Sequence, residues 1–126
     1  MNILEKIEKL ELILPPAPKP LGVYKPTIII DNFLYVSGQG PVKSNGSLII
    51  GKVRKDMDKH EAKKAARQVG LTMISSIVSN IENVERIKRV VKVFGMVNSS
   101  PNFYDHPFVI NGFSELMSEI FGEDLG

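Results

Sequence analysis

The sequence contains no cysteine. Disulfides, thiolate nucleophiles and cysteine-held metal sites are therefore excluded. Only two histidines are present, His60 and His106, and each stands alone. Neither belongs to a tight carboxylate–histidine cluster, so no metal site is expected. No apolar run approaches the roughly 18 residues that a membrane-spanning helix needs. The first residues, MNILEKIEKLELIL, lack the basic start and unbroken apolar core of a secretory signal. Net charge is only +2, too small to demand a polyanionic partner. No serine lies in a nucleophile-elbow pattern. These absences fit a soluble, cytoplasmic protein in a reducing compartment.

What is present suits one globular domain spanning 1–126. The hydrophobic fraction is 43% over 126 residues, enough for a real core, and the charged fraction of 24% is ordinary. Ile3, Ile7 and Leu10 recur at helical spacing among charged residues, which predicts a short N-terminal helix. Pro15, Pro16, Pro18 and Pro20 then enforce an extended connector, so 1–20 reads as helix plus proline-rich link. Thr27–Ile30 and Phe33–Val36 flank Asp31-Asn32 and predict a β-hairpin. Ser44-Asn45-Gly46-Ser47 predicts a turn before a short strand, Leu48-Ile49-Ile50.

Asp58 and Glu61 form a capping-box pattern. Behind them Ala62, Ala65, Ala66, Val69, Met73, Ile77 and Ile81 keep a helical period, so a helix is expected over about 58–81. Gly70 within it implies close contact with something flat, such as a sheet. The run Ile87–Val97 is long and β-branched, with Val91, Val93 and Val97 expected on one face and Val90, Phe94 and Met96 on the other. Such a strand is buried on both faces, although one helix layer covers only one. Asp105-His106-Pro107 starts a last helix, with Ile110, Phe113, Leu116, Met117, Ile120 and Phe121 as its stripe. The order β-β-β-α-β-α predicts an α/β sandwich: a mixed sheet with two helices on one face.

One stretch is not explained by packing. FLYVSGQGPV builds a strand and stops it with Ser37-Gly38-Gln39-Gly40-Pro41. Either these residues make a bulge and turn, or the glycines let a ligand approach exposed backbone N–H groups. A dinucleotide fingerprint is excluded, because the third glycine is missing and no helix follows. Lys52, Arg54, Lys55, Lys59, Lys63, Lys64 and Arg67 form a basic run. It lacks interleaved aromatic residues for base stacking, which favours a solvated helix face over a nucleic-acid patch. Asn111-Gly112 is costly inside a helix; it serves packing, or Asn111 reaches a ligand or backbone group.

Leu21-Gly22-Val23-Tyr24, Leu34-Tyr35-Val36-Ser37-Gly38-Gln39, Val90 to Phe103 and Val109-Ile110-Asn111 resemble, in order and spacing, the Rid/YjgF family of reactive-intermediate deaminases. The similarity runs from about Leu21 to Gly122. It implies a chorismate-mutase-like α/β fold assembled as a homotrimer, with ligand clefts between subunits. The implied reaction is hydrolysis of enamines and imines, such as 2-aminoacrylate, to 2-keto acids and ammonia, without a metal or organic cofactor. By position, Tyr24 is the implied catalytic residue that orients substrate or water. Ser37 and Gly38 would present backbone to the ligand, and Asn111 would brace the site's loops. For Tyr24 and Asn111 a packing role stays open.

The family continues past its second helix with a segment close to R-S-x-V-x-V-x-x-L-P and a last strand. Its arginine clamps the substrate carboxylate and a glutamate handles the water. Here the sequence closes with Glu123-Asp124-Leu125-Gly126; either the natural chain is longer, which the unpaired strand edges left by a missing central strand favour, or this is a shortened member that has lost the activity. The alternatives to a deaminase are a non-catalytic trimer that binds small carboxylates or a protein partner, as a binding or regulatory protein, and an endoribonuclease-like activity, a label that family members also carry. The expected partners are further copies of this chain and a small carboxylate-bearing imine, enamine or keto acid, with neither membrane nor nucleic acid.

Overall fold

A computed structural model of the chain describes residues 2–124 and 126. Helix α1 spans Ile3–Lys9, strands β1 and β2 span Thr27–Ile30 and Phe33–Val36, and helices α2 and α3 span Lys59–Asn80 and His106–Phe121. A 3₁₀ turn, Val84–Arg86, follows α2.

Each helix starts where its sequence supplies a cap or a stop. The Asn2 side chain accepts from Glu5 N and begins α1. The Glu85 carboxylate also accepts from Ile3 N at 3.0 Å, tying this short helix to the chain after α2. Asp58 and Glu61 cap α2 reciprocally, satisfying donors that a helix end leaves open. Pro107 stands in the first turn of α3, and Gly122 ends it at φ +96°, a conformation that favours glycine.

Helices α2 and α3 pack side by side in the same direction. Buried Gly112 lets the α3 backbone press against the Lys63 carbonyl, where no Cβ would fit. Gly70 of α2 likewise leaves room for Leu116; a Cβ there would lie 2.7 Å from its Cδ2. The close partner expected for Gly70 was a sheet, but it is a helix. The main core joins Ile3 and Ile7 of α1, Leu71, Ile74 and Ile77 of α2, Val84, and Phe113, Leu116, Met117 and Ile120 of α3. A second cluster holds Val53, Ala62, Phe103 and Val109.

The hairpin pairs antiparallel with Thr27 opposite Val36 and Ile30 opposite Phe33. Asp31 opens its turn at φ +54°, a left-handed conformation that aspartate tolerates better than most residues. Leu34 and Val36 lean on the main core. Their neighbours Ile28, Ile30, Phe33 and Tyr35 occupy the other face, and all four are exposed. The expected α/β arrangement holds, with helices over one face of the strands.

Two expected strands take another form. Leu48–Ile50 makes only an isolated bridge, Leu48 to Val42. Residues 87–97 are not assigned to a strand, and among the described residues no backbone hydrogen bond involves the N–H groups of 88–97. The ladder is therefore a two-stranded antiparallel one, joined by isolated parallel bridges from Val53 to Met57 and Ser99. The expected faces of 87–97 also need correction. Ile87 and Val90 lean on the main core and Val97 on the second cluster, while Val91, Val93, Phe94 and Met96 are exposed. Val97 thus sides with Val90, not with Val91 and Val93. Gly95 gives the physical reason. It lies under Ile110, whose Cδ1 is 2.6 Å from the place a Cβ would take. This close approach of Ile110 turns the backbone at Gly95 toward α3, next to Val97 and its contact with the second cluster.

Candidate functional site

The open end of the hairpin, opposite its turn, carries three of the four site residues expected from sequence. Tyr24 is about half exposed. Its ring lies along Gly22, and its phenol oxygen accepts from Leu21 N at 3.3 Å. The phenol proton is left to donate outward. Ser37 continues the strand pairing: its N–H donates to Pro26 O at 2.9 Å and its hydroxyl to Lys25 O at 2.5 Å. A hydroxyl proton held by a carbonyl has no base to remove it, so Ser37 is not arranged as a nucleophile. Gly38 is exposed, and nothing lies within 4 Å of where its Cβ would be. Space therefore exists for a ligand to reach this backbone.

The loop that follows is clipped to α2 by side chains that the apolar stripe did not reveal. Gln39 Nε2 donates to Ser37 O at 3.1 Å, and Gln39 Oε1 accepts from Ser76 Oγ at 3.1 Å. Gln68 Nε2 donates to Val42 O at 2.6 Å, and Thr72 Oγ1 accepts from Val42 N at 3.1 Å. Ser75 donates to Pro15 O at 2.6 Å, which fixes the proline connector. Thr72, Ser75 and Ser76 are buried, and every one has a partner, as burial of a hydroxyl requires. Their spacing, with Gln68, marks one polar strip beside the apolar stripe of this helix, and this was the readable signal.

Asn111 lies elsewhere, exposed on α3. Among the described residues its side chain makes no hydrogen bond, and the chain by itself does not join it to Tyr24, Ser37 and Gly38. The histidines serve packing contacts. The His60 ring meets Phe108 edge-on at 5.2 Å; His106 meets Phe103 at 5.2 Å and Ser99 Oγ at 3.3 Å. No group of three metal-binding side chains occurs among the described residues.

A depression of about 870 Å³ opens between the 54–58 turn and residues 102–105, away from Tyr24, Ser37, Gly38 and Asn111. Most of its charges, Lys55 aside, are committed to the fold. Asp58 caps α2, Asp56 accepts from Lys52 N at 2.8 Å, Arg54 donates to Asn102 O at 3.0 Å, and Lys59 pairs with Asp105 at 3.0 Å. A hollow that neutralises itself offers a ligand little. The basic run is balanced in part. Lys63 pairs with Glu115 at 3.0 Å and Arg67 with Glu119 at 2.8 Å, so α3 answers two of the α2 cations.

A family model described as "YjgF/chorismate mutase-like, putative endoribonuclease" matches residues 6–125, and the chain belongs to that family. It is 33% identical over 125 residues to Protein TCP17 of Trypanosoma cruzi, covering 99% of this chain and 78% of that one. Among solved structures, a "putative endoribonuclease" from Shewanella oneidensis superposes with a TM-score of 0.91 at 30% identity, over 98% of this chain and 82% of the other. Atu1372 of Agrobacterium tumefaciens, a protein of unknown function, gives 0.81 at 33% identity, over 96% and 75%. The chorismate-mutase-like fold is thereby established. No helix among the described residues is long and apolar enough to cross a membrane.

Proposed function

We propose that the protein hydrolyses reactive enamines and imines of the 2-aminoacrylate type to 2-keto acids and ammonia. The observation that carries this reading is the free backbone at Gly38 beside Tyr24, in a chain of the YjgF family. The enamine first takes a proton on carbon and becomes the imine. Water then adds to the imine carbon, and the tetrahedral adduct expels ammonia to leave the keto acid. No covalent nucleophile is needed, which suits a serine whose proton is already engaged. The protein's task is to hold the carboxylate, place the water and move protons. Tyr24 offers an outward O–H for that work, and Ser37 and Gly38 offer backbone.

The cleft is read as lying between subunits of a homotrimer. The exposed apolar face of Ile28, Ile30, Phe33 and Tyr35 supports self-association; the number three comes from the family resemblance. An endoribonuclease-like reading has the family description behind it, but three of the seven cations of the basic run are paired with carboxylates and the run lacks interleaved aromatic residues for base stacking. The test uses a gene product of known intact mass and an imine generated in situ by a serine dehydratase. Faster release of pyruvate and ammonia than in buffer is expected. RNA cleavage without deamination would replace this reading with the second one.

A further inference from the structure

Proline at position 26 creates a gap in the hairpin ladder. In the hairpin register Thr27 faces Val36, so Pro26 falls opposite Ser37. Ser37 donates to Pro26 O, but proline has no N–H to return. The Ser37 carbonyl is left without a ladder donor, and Gln39 Nε2 supplies one at 3.1 Å. The Gln39 amide is itself oriented, because its Oε1 takes the hydrogen of Ser76 Oγ. Ser76 is 1% exposed and sits on the rigid α2. A line from Ser76 through Gln39 therefore fixes one carbonyl.

Peptide planarity carries the effect one atom group further. The Ser37 C=O and the Gly38 N–H share a planar trans unit and point in opposite directions. Holding the carbonyl aims the N–H. Among the described residues the Gly38 N–H donates to nothing, and the space over Gly38 is open. The gap at Pro26, the glutamine that fills it and the free N–H thus belong to one device.

We propose that Ser76 and Gln39 are positioning residues that present the Gly38 N–H as a fixed donor to an oxygen of the ligand's carboxylate. This inference rests on the reading of the site as a keto-acid and imine site. A donor already in place loses little freedom on binding, and a hydrogen bond to a charged oxygen is among the stronger kinds.

The experiment titrates pyruvate into ¹⁵N-labelled full chain and follows the amide resonances. The Gly38 amide is expected to move downfield at saturation. Ser76→Ala removes the anchor. Gln39→Glu keeps the shape but, ionised, cannot donate to Ser37 O. Each should weaken pyruvate binding about three- to tenfold, the value of one net hydrogen bond. Ser76→Thr keeps the hydroxyl and should restore most of the affinity. A merely structural role would lower the melting temperature and leave both the Gly38 shift and the affinity unchanged, which overturns the inference. It also falls if amides at Tyr24 and Ser37 respond to pyruvate while Gly38 stays still; the site reading then survives. If no amide from Tyr24 to Gln39 responds, the site reading itself fails, and the inference with it.

Discussion

At the scale of single residues, Gly38 separates folding from binding. Its neighbourhood is empty and its φ is not left-handed, so a valine there has room and no special backbone strain. Gly38→Val should melt within a degree or two of wild type, yet lose keto-acid binding, because a branched Cβ covers the backbone. Equal pyruvate affinity in the two proteins would remove Gly38 from the site. Tyr24→Phe should cost deaminase activity only about two- to tenfold, the value of one hydrogen bond, measured as kcat/KM. Asp58 gives a pH prediction. The Glu61 backbone N–H, donating to its carboxylate, holds it below the usual carboxylate range. A lowered folded-state value means stability that is present above the unfolded value, 3.8, and is lost as pH falls through the folded one. Asp58→Asn retains a capping oxygen, so it should flatten this acid-side loss of helix, read by circular dichroism between pH 5 and 2.

At the scale of elements, the helix pair is set by two glycines that differ in what they face. At Gly112 an added methyl meets the Lys63 backbone, which cannot step aside. Gly112→Ala should therefore destabilise by at least the usual overpacking cost, about 1–3 kcal/mol. At Gly70 it meets the end of the Leu116 side chain, and alanine gains roughly 1 kcal/mol of helix propensity. Gly70→Ala should stay within about 1 kcal/mol of wild type in urea denaturation. The reverse ranking would contradict the packing described. These elements also show what could be read from sequence. The helices and the hairpin were legible because caps, prolines and apolar periods act locally, and the start of α2 at Asp58 needed only Asp58 and Glu61. The partner of Gly70 was not legible, since a glycine in a helix announces closeness without saying to what. Nor was the role of Gln39. It depends on Pro26 and Ser76 meeting in space across 13 and 37 residues of chain. Ser37 could be placed beside the Lys25-Pro26 stretch because it extends the hairpin pairing, whereas Asn111 sits on another element.

At the scale of the whole molecule, the exposed apolar surface is the unbalanced term. Ile28, Ile30, Phe33 and Tyr35 are each about half exposed on one sheet face. Completing their burial would contribute roughly 1 kcal/mol apiece, half the gain for a fully buried side chain. Contiguous apolar surface of this kind marks an interaction site. Val91, Phe94 and Met96 add to the exposed apolar surface, at 70%, 80% and 85% exposure. Self-association into the proposed trimer would cover such a face with surface of a neighbouring copy, the contacts of a ring of three being head-to-tail. Sedimentation at micromolar concentration should then show a species near three times 14.0 kDa. A 14 kDa species alone at that concentration would sink the trimer. Val91→Lys refines the test. Because Val91 makes little contact within its own chain, a lysine there should leave the helical spectrum unchanged. Between subunits it would put an ammonium in dry contact without a partner, which costs far more than one apolar side chain gains. The variant should therefore sediment as a folded monomer. If the reaction does occur between subunits, deaminase activity should fall in proportion to the trimer lost, and a fully active Val91→Lys monomer would place the site within one chain.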